Sequence, residues 1–204
     1  MQQRTKQELA RAPQQTKQNI IGLTGTPATG KKTVGKIVAK RLGYEFLEIN
    51  KLAKGLGAEV SKDEEGIDVD ALILYKKLPN LLKGKKAVVA GHLLPHCLPD
   101  KSVNFVAVLR CSPRGLVQRY KKRGYSSEKI KSNIVAEAID VCLSDALDSY
   151  KKSKISEIDT SNKKPEQVAG ELVSKFLNPK KREIGIVNWL QMMIEDDTLR
   201  EFLR

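Results

Sequence analysis

The sequence feature that most constrains the fold is the segment Gly25–Thr33, which reads Gly-Thr-Pro-Ala-Thr-Gly-Lys-Lys-Thr. An apolar stretch with strand character, Asn19–Thr24, precedes it, and apolar residues at helical spacing follow it as far as Leu42. A strand, a loop bounded by glycines, a lysine and a helix form the context that a phosphate-binding P-loop requires. Backbone N–H groups of the loop and of the helix N-terminus would bind phosphate oxygens, and Lys31 would reach the β- and γ-phosphates.

One position departs from this pattern. The residue after Lys31 is Lys32, whereas a P-loop usually has a serine or threonine there, whose hydroxyl binds Mg²⁺. Thr33 is the nearest substitute. The alternative interpretation is a glycine-containing turn between a strand and a helix, with a solvated pair of lysines. The flanking strand and helix favour the phosphate site.

Length and composition set limits on the class of protein. A chain of 204 residues is long enough for one α/β domain with an appendage. No apolar run approaches the ~20 residues that span a bilayer, and the N-terminus lacks the apolar region of a secretory signal. Cys97, Cys111 and Cys142 show no Cys-x-x-Cys spacing. They therefore predict reduced, buried thiols in a cytoplasmic protein, and not a disulfide framework or a zinc site. The lack of a long apolar run predicts that the protein has no membrane partner.

The net charge is +13, from 37 lysines and arginines against 24 acidic residues. Nucleotide phosphates account for only a few of these cations, so the surplus suggests a polyanionic partner such as RNA. A general basic bias or a need for solubility explains the same number. The charge alone does not decide between them.

Strands and helices are predicted to alternate along the chain. This alternation predicts an α/β fold in three layers, with a parallel sheet that is covered by helices on both faces. The expected strands are 19–24, 44–49, 87–90, 103–109 and 155–158. The helices are expected to start at 31, 51, 68, 113, 126 or 127, and 165, with 57–66 as a loop. We expect Pro79 to end the third helix, and the helix from 126 or 127 to continue to Leu147.

The two ends of the chain differ in composition from the middle. Residues 1–17 are rich in glutamine and basic, which predicts a disordered tail, and 18–178 form the expected core domain. Residues 179–204 read as an amphipathic helical extension. That extension either packs back on the domain or docks a protein partner.

Several arginines could bind transferring phosphates. Phosphoryl transfer needs cations at the equatorial phosphate oxygens, and Arg110, Arg114, Arg119 and Arg123 follow Lys31 as candidates. Arg119 and Arg123 are four residues apart and so share a helix face. Gly124 follows as a hinge suited to a small lid. The alternative is that these side chains are solvated.

Taken in order, these segments resemble the archaeal and eukaryotic adenylate kinase isoenzyme 6 family. Its members are P-loop kinases of nucleoside monophosphates (NMPs) that also act in maturation of the small ribosomal subunit. The resemblance runs from about residue 19 to 177. It rests on the segments 25–31, 49–54, 91–93, 108–110, 123–125, 133–134 and 157–160.

The resemblance implies a P-loop NTPase fold of the NMP-kinase type, with a five-stranded parallel sheet, an NMP-binding arm at 48–70 and a short lid at 122–132. It implies transfer of the ATP γ-phosphoryl group to AMP or another NMP with Mg²⁺, ATPase activity, and a ribosomal role. A small-subunit ribosomal protein and pre-ribosomal RNA would be partners. One alternative is a nucleotide-gated ribosome-assembly factor with weak catalysis, and another is a different small-molecule kinase on the same fold.

The resemblance also assigns roles to residues. Lys31, Arg119, Arg123 and His92 would be catalytic, although His92 could equally be a structural residue at a strand end. Asn50 and Lys54 would bind the NMP, and Lys163 would lie beside the adenine. Thr33 would hold the metal, and Arg123 would touch ATP. The residues expected around the ATP phosphates are Gly25, Ala28, Gly30, Lys31, Lys32 and Thr33.

Three positions depart from the family pattern. Ala90 stands where an acidic residue is usual, Lys51 stands where an acid is common, and Lys32 replaces a hydroxyl. Two added cations and a missing carboxylate weaken the case for Mg²⁺ held by the protein. They place ATPase activity in more doubt than NMP kinase activity.

Overall fold

A computed structural model describes residues 18–63 and 66–203; the tail expected at 1–17 lies outside this part of the chain. The strands are β1 (Asn19–Thr24), β2 (Glu45–Glu48), β3 (Glu59–Asp63), β4 (Gly66–Val69), β5 (Lys86–Ala90), β6 (Phe105–Arg110) and β7 (Ile155–Asp159). Five of them form one parallel sheet in the order β2-β5-β1-β6-β7, which confirms the predicted sheet.

The helices cover both faces of this sheet. They are α1 (Lys31–Leu42), α2 (Ile49–Leu56), α3 (Ala71–Leu82), α4 (Leu94–Cys97), α5 (Pro113–Lys122), α6 (Ser127–Ala138), α7 (Val141–Ser149), α8 (Pro165–Leu177), α9 (Trp189–Glu195) and α10 (Asp197–Arg200). Apolar residues of α1 and α8 pack on one face, and those of α3, α4 and α7 pack on the other. The central strands are mostly apolar between their ends because both faces of the sheet are buried.

A third apolar cluster lies beside the sheet and joins α5 and α6 to the C-terminal segment. Trp189, Met193 and Leu199 are buried there against Leu116 and Ile134. The C-terminal extension thus packs back on the domain, which was one of the two interpretations of its sequence. Residues 183–188 are not helical, so the extension is less helical than expected. Within 18–63 and 66–203, no helix is long and apolar enough to cross a membrane.

Three expectations for single elements were wrong. The segment 57–66 was expected to be a loop, but most of it belongs to an antiparallel hairpin of β3 and β4. Pro79 does not end α3, which continues to Leu82 and begins after Asp70, not Asp68. The carboxylate of Asp70 caps it by accepting from the N–H groups of Leu72 and Ile73.

The long helix predicted from residue 126 or 127 to 147 is two helices. Ser126 caps the first one as expected, its side chain accepting from the Lys129 N–H. The break falls at Asp140, whose φ of 61° is left-handed. Its carboxylate leaves the helical path and pairs with Arg110, which accounts for the interruption.

Parallel strands bring their carboxyl ends to one edge of the sheet, where ligands of α/β proteins bind. The P-loop segment follows β1 at this edge, Glu48 ends β2 and is followed by α2, and Gly91 and His92 follow β5. Arg110 ends β6 there too. The sheet therefore gathers the residues that the sequence singled out.

Candidate active site

A cavity of about 750 Å³ opens at this edge. Its wall includes most of the residues predicted for the site: Ala28, Gly30, Lys31, Lys32, Thr33, Asn50, His92 and Arg123. It also includes Glu48, Asp68, Ala90, Gly91, Tyr125, Lys129 and Asn133. The P-loop thus lies at one side of the space, and the beginning of α2 lies at another.

The loop between β1 and α1 has a backbone that few sequences can adopt. Gly25 has a φ of 136°, and a Cβ atom there would lie 2.3 Å from the Leu109 carbonyl oxygen, so only glycine fits. Gly30 caps α1 with a φ of 99°. Between them, Ala28 also has a left-handed φ, of 64°, which is strained for a residue with a Cβ atom. Neighbouring elements must hold this conformation in place.

Lys31 folds back over the loop that it follows. Its Nζ donates to the carbonyl oxygens of Gly25 at 2.6 Å and Thr26 at 2.8 Å. Burial lowers the pKa of Lys31 to about 8, although the nearby side chains of Cys142 and Glu137 act in the opposite direction. The ammonium thus lies at the loop and can exchange carbonyl oxygens for phosphate oxygens.

Lys32 points towards the other side of the cavity. Its Nζ lies 3.4 Å from Glu48 Oε2, and the Nζ of Lys51 lies 3.1 Å from Glu48 Oε1. The pKa of Glu48 is lowered: partial burial works against ionisation, but the two ammonium groups outweigh it. Glu48 is therefore an ionised carboxylate whose charge is already balanced by lysines.

These residues do not fit a protein-held Mg²⁺ ion. Magnesium requires oxygen ligands in octahedral geometry, but Ala90 offers no side-chain oxygen and Glu48 lies between two ammonium groups. Among the described residues, no group of three histidine, cysteine or acidic side chains could hold a metal. Thr33, exposed on the first turn of α1, remains the predicted ligand.

Helix α5 holds the strained part of the P-loop. Nη1 of Arg119 donates to the Ala28 carbonyl at 2.9 Å, and the hydroxyl of Tyr120 donates to the Pro27 carbonyl at 2.8 Å. Tyr125 stacks on Tyr120 with ring centroids 5.3 Å apart. Arg119 is therefore beside the phosphate loop, but in this structure it binds the loop itself. Arg123, just after α5, is exposed in the cavity wall.

His92 lies on the cavity wall after β5. Its backbone carbonyl accepts from the Thr24 hydroxyl at 3.2 Å, which ties the segment to the end of β1. Its pKa is lowered, first because surrounding atoms keep water away and then because the charges of Lys31 and His96 repel a further proton. A neutral imidazole at pH 7 can accept a hydrogen bond or a proton.

Three predicted binding residues, Gly25, Lys54 and Lys163, lie outside the cavity wall. Lys54 is exposed on α2, one turn beyond Asn50. Lys163 is exposed after β7, and its Nζ lies 2.9 Å from a carboxylate oxygen of Glu171. Their roles towards the NMP and the adenine stay predictions.

Two of the candidate phosphate-binding arginines have other partners. Arg114 pairs with Asp196 of the C-terminal segment. Arg110 is 1% exposed and pairs with Glu137, Asp140 and Glu157. Burial disfavours its charge, but the carboxylates more than offset this and raise the pKa of Arg110. Arg110 therefore neutralises carboxylates of the protein and does not line the cavity.

We call Arg110, Glu137, Asp140 and Glu157 the arginine hub. Sequence reasoning missed its acidic members. Their signal was an acid beside apolar positions: Glu137 follows the buried Ile134 on α6 by three residues, and Glu157 lies between Ile155 and Ile158 in the last strand. A carboxylate in such a position needs a cationic partner. Periodicity does not identify that partner, which lies 27 or 47 residues away.

The arrangement suits the binding of a phosphate chain. One ammonium lies at the loop, a second cation lies towards α2, and Arg123 lies across the cavity. Such cations stabilise the charge that develops when a phosphoryl group transfers.

The comparisons with known proteins agree with this geometry. A family model described as an AAA domain matches residues 21–140. The chain is 38% identical over 178 residues to the "Putative adenylate kinase" of Pyrococcus abyssi, a match that covers 86% of this chain and 94% of that protein. It is 34% identical over 185 residues to the protein of the same name from Methanocaldococcus jannaschii, covering 88% and 97%.

Solved structures show the same fold. Shikimate kinase from Acinetobacter baumannii in complex with shikimate superposes with a TM-score of 0.54 at 18% identity, over 79% of this chain and 94% of that one. Shikimate kinase from Bacteroides thetaiotaomicron gives 0.53 at 16% identity, over 78% and 99%. The predicted P-loop fold is thus confirmed, and the chain belongs to the family of the archaeal proteins named "Putative adenylate kinase", as a P-loop nucleotide kinase.

Proposed function

We propose that the protein transfers the γ-phosphoryl group of ATP to AMP, with other NMPs as further candidate acceptors. The observation that carries this proposal is one continuous cavity, which extends from Lys31 and Thr33 at the P-loop to Asn50 at the start of α2. A donor and an acceptor held in the same cavity can react in line.

The residues would divide the work as follows. The P-loop amides and Lys31 bind the triphosphate, and Arg119 and Arg123 neutralise charge on the transferring group. An oxygen of the acceptor phosphate attacks the γ-phosphorus, and ADP leaves as its bond to that phosphorus breaks. Because this acceptor oxygen is already ionised, the transfer needs no general base, and the cations supply the catalysis.

Phosphate binding by these cations requires two rearrangements of side chains. Lys31 must exchange the carbonyls of Gly25 and Thr26 for phosphate oxygens, and Arg119 must exchange that of Ala28. Each exchange replaces a neutral acceptor by an ionised one, which makes a shorter and stronger hydrogen bond. The triphosphate itself therefore favours the rearranged state.

The first experiment is a transfer panel with ATP as donor and AMP, CMP, UMP and GMP as acceptors. We expect AMP to be the best acceptor. In Lys31→Ala, kcat should fall by about 10²–10³-fold, as on removal of one transition-state donor elsewhere. Lys36→Ala is the matched control, since Lys36 is exposed on the same helix outside the cavity wall. Equal turnover in both variants would reject the assignment.

A second candidate function is a nucleotide-gated factor in assembly of the small ribosomal subunit, with weak catalysis, in the cytoplasm. Ala90 and the Lys32–Glu48 pair favour it because they remove or occupy positions that would hold Mg²⁺. The charge of +13 supports binding to RNA. Co-sedimentation with pre-ribosomal particles with and without ATP tests it, and no association in either state would count against it.

A further inference from the structure

Glu137 is a buried carboxylate that contacts the P-loop from below. Its Oε2 accepts from the Thr26 hydroxyl at 2.6 Å, and its Oε1 accepts from Arg110 Nε at 2.9 Å and from the Cys111 N–H at 3.1 Å. The side chain is 1% exposed and does not line the cavity. It therefore cannot touch a ligand, but it holds a residue of the loop that would.

Thr26 connects Glu137 to two other residues of the loop segment, Thr29 and Lys31. Its backbone carbonyl accepts from Lys31 Nζ and from the Thr29 hydroxyl, at 2.8 and 3.0 Å. Its side chain is 2% exposed and fixed by Glu137. A shift of Thr26 would move the acceptor of the Lys31 ammonium and the turn that leads to Ala28.

Helix α6 connects this contact to the cavity. Glu137 lies at its C-terminal end, and Asn133, one turn earlier, lines the cavity together with Lys129. At 1.5 Å per residue, about 12 Å of helix separates Lys129 from Glu137. The residue that contacts the loop and these residues of the cavity wall thus lie on the same helix.

We propose that Glu137 is a positioning residue, which sets the ATP-binding conformation of the P-loop through the Thr26 hydroxyl. The inference rests on the proposed nucleotide site and adds to it a residue that acts without touching the nucleotide. Burial has the largest effect on the pKa of Lys31 and lowers it, while the nearby side chains of Cys142 and then Glu137 act to raise it. The position of Thr26 in the loop thus depends on one buried carboxylate.

The arginine hub provides a matched control. Glu157 is as buried as Glu137 and also pairs with Arg110, with Nη1 to Oε1 at 2.5 Å. Its other oxygen accepts from the N–H groups of Gly185 and Ile186, in the C-terminal segment. Glu157→Gln therefore disturbs the hub as Glu137→Gln does, but without a contact to the P-loop.

The experiment measures ATP affinity by titration with a fluorescent ATP analogue, together with the thermal midpoint of each variant. Glu137→Gln should weaken binding about tenfold, the effect of losing a hydrogen bond to a charged group. Glu157→Gln should lower the thermal midpoint similarly and leave the affinity within about twofold. Thr26→Val should weaken binding about tenfold, whereas Thr26→Ser, which keeps the hydroxyl, should bind within about twofold of the native chain.

The double variant Thr26→Val with Glu137→Gln should bind no more weakly than Glu137→Gln alone, because both changes remove one contact. The inference is overturned if Thr26→Val binds ATP as Thr26→Ser does, or if Glu157→Gln weakens binding as much as Glu137→Gln. These outcomes are distinct from failure of the proposed function. A native chain that binds ATP and transfers nothing to AMP would reject the transfer, while the binding series would still test Glu137.

Discussion

At the scale of single residues, the site is defined by cations that bind the protein before they bind a ligand. Lys31 donates to two loop carbonyls, Arg119 to a third, and Lys32 to Glu48. This arrangement satisfies the carbonyls of the loop with cationic donors. Phosphate oxygens must therefore compete with these protein oxygens for the same cations. Changing the charge of one cation tests this competition.

The first residue-scale prediction concerns pH. Lys31 with a pKa of about 8 is mostly an ammonium at pH 7 and loses its proton as the pH rises through 8. Because the ammonium is the form that binds phosphate, ATP affinity should fall between about pH 7 and about pH 9.5. The γ-phosphate, with a pKa near ~6, stays fully charged over this range, and the thiol of Cys142, with a pKa of about 11, stays neutral.

Titration calorimetry at several pH values would measure this dependence. Lys31→Arg is the control, since a guanidinium stays charged at every pH used. Its affinity should be independent of pH, whether or not it is lower overall. A native chain whose affinity stays constant up to about pH 9.5 would contradict the lowered pKa of Lys31.

The second residue-scale prediction concerns Lys32. Because its ammonium lies beside the cavity, it should contribute to the affinity for ATP without metal. Lys32→Thr should weaken binding in EDTA by roughly three- to tenfold, a modest effect because the side chain is 58% exposed and screened. Affinity measured in EDTA for native chain and variant checks this; Lys40→Thr, on the exposed part of the same helix, should change little.

How far the sequence predicts a residue's role depends on where its partner lies. Lys31 and Thr33 follow a local pattern, and the structure places both on the cavity wall. Arg110 fits the same expectation of a cation at a strand end, yet it is buried in the hub. An arginine at a strand end has the same sequence pattern whether it binds a phosphate or a carboxylate. The pattern does not reveal Glu157 as the partner of Arg110, because the two residues are 47 positions apart.

At the scale of elements, α5 and α6 support the P-loop from two sides. Helix α5 donates to the carbonyls of Pro27 and Ala28, and α6 accepts from the hydroxyl of Thr26. These contacts fix the left-handed backbone at Ala28. The support is continuous with the packing of both helices against the C-terminal segment.

The element-scale prediction concerns Tyr120. Tyr120→Phe keeps the buried ring and leaves the Pro27 carbonyl without its donor. The free energy of unfolding should fall by about 0.5–1.5 kcal/mol, the usual net value of one hydrogen bond. Urea denaturation followed by circular dichroism measures it. Tyr75→Phe is the control, because Tyr75 is 46% exposed; an equal loss in both would contradict the role of the hydroxyl.

Elements were predictable where the signal was local. Apolar runs identify the central strands because both faces of the sheet are buried, and Ser126 marks the start of α6. The break at Asp140 was not predictable, since the carboxylate leaves the helix for Arg110, 30 residues earlier. The hairpin of β3 and β4 has a polar sequence that also suits a loop.

At the scale of the whole molecule, the C-terminal segment is part of the folded domain. Trp189 is 7% exposed and packs with α5 and α6, and the N–H groups of Gly185 and Ile186 bind Glu157. The segment therefore adds both apolar contact and hydrogen bonds to the side of the molecule that supports the P-loop.

The prediction at this scale is a large loss of stability in Trp189→Ala. Removing a buried tryptophan costs about 3–5 kcal/mol, through lost burial and the cavity that remains. Urea denaturation followed by far-ultraviolet circular dichroism measures it without the tryptophan signal. Leu190→Ala is the neighbouring control, since Leu190 is 38% exposed and should cost much less. Similar losses in the two variants would show that the segment is not packed as described.

The arginine hub has a consequence for synthesis of the chain. Arg110 leaves the ribosome before any of the three carboxylates that neutralise it, and Glu157 gains its last donors only with residues 185 and 186. A buried cation without its partners is strongly unfavourable. A nascent chain that ends before residue 157 therefore lacks one of the carboxylates that neutralise Arg110 at the end of β6.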